Sequence, residues 1–230
     1  VEKTPFISVI VVGAGAGSRF DHKLPKQFVN LGRKPVIVHS LEKLDRNKNI
    51  QEIIAVVPKK FREYFEEKIQ QQYKLRKLKK VINGGKTRQE SVRNGLEAID
   101  PQAKYVLVHD AVRPLVTRPE IEKLIKAVQK DRAVILAVPV KDTLKEIRGD
   151  RILRTHRRER FWLAQTPQAF EVRLLKRAYL HAQRDRMGAT DCASLVERLG
   201  IQVRVVLGSD RNVKITEKDD LLTAEILLKR

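Results

Sequence analysis

The run Gly13-Ala14-Gly15-Ala16-Gly17-Ser18-Arg19 follows a short apolar stretch and suits an anion. Glycines at the carboxyl end of a strand let backbone N–H groups curl around a phosphate with no Cβ in the way. Arg19 ends this loop, and Lys26 follows within Leu24-Pro25-Lys26-Gln27-Phe28. Two cations beside such a loop suit a triphosphate, because charge-assisted contacts are stronger than neutral ones. Chance proximity in a chain rich in Lys and Arg competes with that explanation. Two familiar phosphate motifs fail on spacing. A dinucleotide fingerprint counted from Gly13 needs glycine at position 18, where Ser18 stands, and the second strand ends in Val57-Pro58 rather than in an acidic residue. Gly84-Gly85-Lys86-Thr87 contains the G-K-T of a P-loop, but the glycine required five residues before Gly85 is Lys80. A plain turn accounts for those glycines, though not for Arg88 and Ser91 on one side of the helix that follows. Asp110 ends a further apolar run, in Val108-His109-Asp110-Ala111-Val112-Arg113-Pro114. There it is placed either to hold Mg²⁺ against phosphate oxygens or to cap a helix.

The elements that must position these residues alternate in type. Apolar, β-branched runs at 7–13, 52–57, 80–83, 104–109 and 133–138 read as strands. Between them, 35–44, 61–73, 87–99 and 119–130 carry apolar residues at helical spacing. That order, with near-continuous apolar strands, predicts an α/β fold with a parallel sheet covered by helices on both faces. The rhythm breaks after Pro139. Residues 143–160 are polar, with Leu and Ile alternating about a Gly149-Asp150 turn, which predicts a hairpin. Such a hairpin has too little apolar surface to stand alone and should lean on a partner. Helices at 172–184 and 191–199, strands at 202–207 and 212–215, and a last helix at 218–228 complete the expectation.

Composition sets outer bounds. The chain has 230 residues, 42% of them hydrophobic, which fits one domain and excludes wholesale disorder. A single cysteine, Cys192, excludes an internal disulfide, and no Cys/His spacing resembles a zinc site. No apolar run is long enough to span a bilayer, and no secretory signal pattern stands at the start, so a cytoplasmic protein is expected. Lys and Arg number 48 against 28 Asp and Glu, a net charge of +20. That surplus fits a nucleic-acid binder, with 74–80 and 151–160 as its basic runs, and equally an enzyme for phosphorylated substrates. Aromatic residues at 5% are few for base stacking, and no nucleic-acid motif is present. The five histidines are scattered and read as structural or solvated, and Cys192 reads as packing.

Taken in order, 15–19 (GAGSR), 24–28 (LPKQF), 84–92 (GGKTRQESV), 108–114 (VHDAVRP), 138–145 (VPVKDTLK), 166–170 (TPQAF), 189–197 (ATDCASLVE) and 212–216 (NVKIT) form one pattern. It resembles the 2-C-methyl-D-erythritol 4-phosphate cytidylyltransferases over about residues 7–228. Ribitol-5-phosphate cytidylyltransferases share most of these motifs and are the nearest competitor. The resemblance implies one Rossmann-like nucleotidyltransferase domain over 1–230, with 140–161 as a protruding arm exchanged in a homodimer. It implies CTP and a polyol phosphate as substrates, Mg²⁺ or another divalent cation, and no specific nucleic-acid or membrane partner. Ala14, Gly15 and Gly17 would wrap the triphosphate, and Gly85, Arg88 and Ser91 would line the nucleoside pocket. Arg19 and Lys26 would stabilise charge at the α-phosphorus, and Lys214 would align the attacking phosphate. Asp110 would hold the metal and help hold the acceptor beside Arg113. Thr143, Arg158 and Thr166 would reach the acceptor in the partner's site. The chain departs from the family pattern in Val12-Gly13-Ala14-Gly15, which suggests a looser loop, and at Lys86 and Cys192, where acidic residues are common.

Overall fold

A computed structural model describes residues 4–15 and 24–229. Its strands are β1 (Ile7–Val12), β2 (Asn30–Leu31), β3 (Lys34–Pro35), β4 (Glu52–Val57), β5 (Leu78–Asn83), β6 (Tyr105–Asp110), β7 (Ala133–Pro139), β8 (Leu144–Arg148), β9 (Arg151–His156), β10 (Trp162–Glu171) and β11 (Arg204–Leu207). Its helices are α1 (Val36–Asp45), α2 (Arg62–Phe65), α3 (Arg88–Ala98), α4 (Arg118–Asp131), α5 (Val172–Arg184), α6 (Cys192–Glu197) and α7 (Lys218–Leu228).

Among the described residues, seven strands form one sheet in the order β11-β7-β10-β6-β1-β4-β5. Neighbours run parallel except β10, which is antiparallel to both β6 and β7. Alternate side chains of each strand enter opposite layers, as a period of two requires. Ile7, Val9 and Val11 join the core that also holds residues of α1 and α4. Ile10 and Val12 join the core under α3, α5 and α6. With both faces covered, every residue of β1, β4 and β6 is buried, which is why these strands read as near-continuous apolar runs.

β1 lies between β6 and β4, and the chain leaves it in opposite directions, so the sheet's switch point falls beside β1. Loops at the carboxyl ends of β1, β5 and β6 converge there, where open α/β sheets hold their ligands.

The structure corrects three element boundaries. The expected helix over 61–73 is a 3-10 turn, the short α2 and a π-type turn, which together still bury Phe65 and Ile69. The expected strand at 212–215 is irregular, joined to the body by Ile215 N–H donating to Val112 O and by the Asn212 side chain. β10 is an addition to the expected strands, and it contains Pro167, which cannot donate to a ladder. Its pairing to β7 shifts register between Gln165 and Gln168, which accommodates the proline at an irregularity.

The hairpin forms as β8 paired with β9 around Gly149-Asp150, with Gly149 at φ +62°. Ile152 is 60% exposed and Leu163 58%, with Ile147, Leu153, Phe161 and Trp162 also open to solvent. The basic run at 74–80 is partly spent on the fold. Lys77, Lys79 and Lys80 donate their ammonium groups to the carbonyls of Asn47, Arg76 and Ala98. No helix of the described residues is long and apolar enough to cross a membrane.

Candidate active site

A cleft of about 400 Å³ opens at the switch point, within the range of small-molecule sites. Gly13, Ala14 and Gly15 form one edge, Gly85, Lys86 and Thr87 another, and Asp110 the floor. Lys26, Gln27, Arg88, Ser91 and Lys214 complete the polar lining. The cleft thus gathers residues from both glycine-bearing turns, the Asp110 strand end and the last loop of the chain. Gly17 and Arg19 lie outside the described residues.

The start of the glycine loop is fixed rather than loose. Gly13 N–H donates to Val56 O at 2.8 Å, and its carbonyl accepts from Gln27 Nε2 at 2.5 Å. A Cβ on Gly13 would meet Ala111 Cβ at 3.1 Å, so the departure at this position gives close packing. The second turn approaches the first with no room to spare. A Cβ on Gly84 would fall 2.1 Å from Ala14 Cβ. Thr87 caps α3 by accepting from Glu90 N–H at 3.0 Å, and Ser91 Oγ accepts from Gly85 N–H at 3.1 Å. Glu90 accepts from Lys86 N–H at 2.7 Å, so the whole turn is bolted to the helix it opens.

Asp110 is 6% exposed, and both of its carboxylate oxygens are occupied by cations. Arg88 Nη2 reaches Oδ1 at 2.9 Å, and Lys214 Nζ reaches Oδ2 at 2.8 Å. Burial alone would raise the Asp110 pKa; Arg88, then Lys214 and Arg113, hold it well below the usual carboxylate range. Asp110 is neither a helix cap nor the member of a ligand cluster. Among the described residues, no group of three or more His, Cys, Asp and Glu side chains could hold a metal. With both carboxylate oxygens held by Arg88 and Lys214, Asp110 would have to exchange one of these partners to share a divalent cation with nucleotide phosphates.

A buried relay fixes Asp110 from behind. Thr166, 4% exposed on β10, accepts from Asp110 N–H at 3.0 Å and lies 3.2 Å from His109 Nδ1. His109 Nε2 lies 3.2 Å from Arg113 O, which can only accept. These partners assign the proton to Nε2 and leave Nδ1 to accept from the Thr166 hydroxyl. Thr166 was expected on the partner's site; it is instead locked under Asp110 of its own chain. Arg113 is close enough to Asp110 to lower its pKa, although it does not line the cleft. Its Nη1 donates to Asn212 O at 2.6 Å and so holds the loop that carries Lys214.

Arg88 is backed by Cys192, whose Sγ lies 3.8 Å from Nη1 and 3.4 Å from the Tyr179 hydroxyl. Burial raises the Cys192 thiol pKa against the pull of Arg88, so the sulfur is a neutral packing group. Gln168 anchors this corner, donating to Asp191 Oδ2 at 2.7 Å and accepting from Cys192 N–H at 3.1 Å.

Thr143 and Arg158 do not line the cleft of their own chain. Thr143 is exposed, and Arg158 donates to the Lys141 carbonyl at the base of the hairpin. Gln27, Gln168 and Glu90 are the supporting residues that sequence reasoning passed over. Each lies inside a motif that was read for its neighbours.

A mostly parallel sheet with a cationic, glycine-edged cleft at its switch point defines an α/β enzyme of the nucleotidyltransferase type. The family model for 2-C-methyl-D-erythritol 4-phosphate cytidylyltransferase matches residues 7–230, and the chain belongs to that family. A relative of that name from Syntrophus aciditrophicus is 44% identical, covering 98% of this chain and 97% of its own length. One from Dictyoglomus thermophilum is 43% identical over 96% of both chains. The crystal structure of 4-diphosphocytidyl-2C-methyl-D-erythritol synthase from Anaerococcus prevotii superposes with a TM-score of 0.86 at 34% identity, over 99% of this chain and 97% of that one. That of the Thermus thermophilus cytidylyltransferase superposes with a TM-score of 0.80 at 32% identity, over 98% and 100%.

Proposed function

We propose that the protein transfers the cytidylyl group of CTP to 2-C-methyl-D-erythritol 4-phosphate. The products are 4-diphosphocytidyl-2-C-methyl-D-erythritol, an isoprenoid precursor, and pyrophosphate. The observation that carries this reading is the lining of the cleft. Lys26, Lys86, Arg88 and Lys214 face a glycine-edged backbone, with Asp110 the one carboxylate among the described lining residues.

An oxygen of the acceptor phosphate attacks the α-phosphorus of CTP. The new P–O bond forms as the α–β bridging bond breaks, and pyrophosphate leaves with the electron pair. The nucleophile is already ionised at neutral pH, so no histidine or cysteine has to move a proton. Mutual repulsion of two polyanions is the main obstacle, and neutralisation with alignment is the protein's contribution. Backbone groups of Ala14, Gly15 and Gly17 wrap the triphosphate, while Gly85, Arg88 and Ser91 line its nucleoside end. Lys26 and Arg19 neutralise charge at the reacting phosphorus, and Lys214, held by Asp110, aligns the acceptor phosphate. A divalent cation bound with CTP would take up part of the triphosphate charge beside Asp110.

Two copies associate through the hairpin, with Thr143 and Arg158 reaching the partner's cleft. The open apolar side chains of the hairpin support this assembly, since a solvated two-stranded ribbon is barely stable alone. The enzyme works in the cytoplasm, a reading supported by the lack of any helix among the described residues long and apolar enough to cross a membrane.

The test is pyrophosphate release with CTP and each of two acceptors in parallel. Release with methylerythritol phosphate and little with ribitol 5-phosphate is expected. The reverse preference would overturn the assignment.

A further inference from the structure

We propose that Gln27 is the positioning residue that holds the glycine-rich loop in its anion-receiving form. The proposal rests on the reading that CTP phosphates occupy this cleft.

Gln27 is 1% exposed, and its amide nitrogen faces two loop carbonyls, Gly13 O at 2.5 Å and Gly15 O at 3.2 Å. One side-chain NH₂ carries two hydrogens, so it can hold both at once. In a planar trans peptide, a carbonyl and the N–H that follows it point to opposite sides. With the Gly13 carbonyl turned toward Gln27, the Ala14 N–H after it faces the other way, and Ala14 lines the cleft. The same loop with its carbonyls turned outward would repel a phosphate. Choosing between those two orientations is the work of this side chain.

The local sequence explains why the residue can do it. Lys26–Phe28 form a 3-10 turn, in which successive side chains diverge by about 120°. Phe28 enters an aromatic cluster with Phe61 and Tyr64, at centroid distances of 5.7 and 5.4 Å. That anchor sets both Lys26 and Gln27 at the cleft wall, with the Gln27 amide turned to the loop carbonyls. The cation and the backbone cradle are thereby set relative to each other by adjacent residues.

The experiment compares Gln27→Met, Gln27→Glu and Gln27→Asn with wild type. KM for CTP and for the acceptor are measured separately, with CTP affinity by calorimetry and melting temperature without nucleotide. Loss of two hydrogen bonds predicts that Gln27→Met weakens CTP binding about tenfold or more. Gln27→Glu, which sets an acceptor against two acceptors, should be worse, and Gln27→Asn intermediate. The acceptor KM should stay within about twofold of wild type in each. Equal rises in both KM values, or unchanged CTP affinity in a folded Gln27→Met, would overturn the proposal. So would failure of all three variants to fold, which would assign Gln27 to the framework. A wild-type protein that does not bind CTP would instead sink the reading of the cleft itself.

Discussion

Lys214 Nζ stands 2.8 Å from Asp110 Oδ2, a link between the last loop of the chain and the end of a central strand. The buried carboxylate makes Lys214 and Arg88 a single cationic unit. Asp110→Asn and Lys214→Ala should each lower turnover at least about 100-fold, the scale of one lost transition-state donor. Because they act together, the double variant should be little worse than either single one. Strict additivity in a double-mutant cycle would separate the two residues.

Thr166 supports Asp110 through its backbone. Thr166→Val preserves shape but leaves the buried Asp110 N–H without its acceptor, which costs about 1–3 kcal/mol of stability. Thr166→Ser should restore most of it. Urea denaturation of the three proteins checks this, and equal midpoints for Val and Ser would rule it out.

His109 gives the fold an acid-sensitive component. Burial disfavours its imidazolium, against the attraction of Asp110, and lowers its pKa from 6.5 to about 4. The unfolded chain takes up this proton below about pH 6.5, while the native state does so only near 4. Stability from this group is therefore full above 6.5, falls as pH drops through that window, and levels off below it. The loss is on the order of 3 kcal/mol. Asp110, whose native pKa is held low, adds a further loss only below its ordinary value of 3.8. Between pH 7 and 4.5, His109→Gln should lose distinctly less stability than wild type; parallel curves would show that His109 is not the titrating group.

Gly84 is fixed by its neighbours rather than by its torsion angles. A methyl group there must displace Ala14, whose Cβ would lie 2.1 Å away. Gly84→Ala should destabilise by about 1–3 kcal/mol. It should also raise the KM for CTP, because the displaced residue belongs to the glycine loop. A thermal melt and a CTP titration together check both halves.

The proposed pairing of two copies through the hairpin makes its exposed apolar side chains a direct target. Ile152→Asp should shift the protein from dimer to monomer in light scattering and lower turnover at wild-type fold content by circular dichroism. A monomeric and fully active variant would remove the arm from the mechanism.

Legibility in the sequence followed burial. β1, β4 and β6 are enclosed on both faces, so their composition announces them. Asp110, Lys26 and Gly85 each had an ordinary alternative reading, and only the ordered set of motifs singled them out. β10 was hidden by Pro167, and the irregular 212–215 segment by its apolar alternation. The tasks of Gln27, Thr166 and Gln168 were not legible, since each depends on a backbone group brought close only by tertiary folding. Cys192 looked like a departure from an acidic position; in place, it is a neutral backstop for Arg88.

The placement of β10 also imposes an order on manufacture. Residues 162–171 fill the slot between β6 and β7, strands that leave the ribosome earlier. Until they arrive, two strand edges face an empty lane and invite pairing with other chains. Lys214 emerges later still, so a nascent chain carries its glycine loop and Asp110 long before it can neutralise a second phosphate. The proposed transfer therefore has to wait for Lys214, and a product stopped before 162–171 leaves two strand edges open.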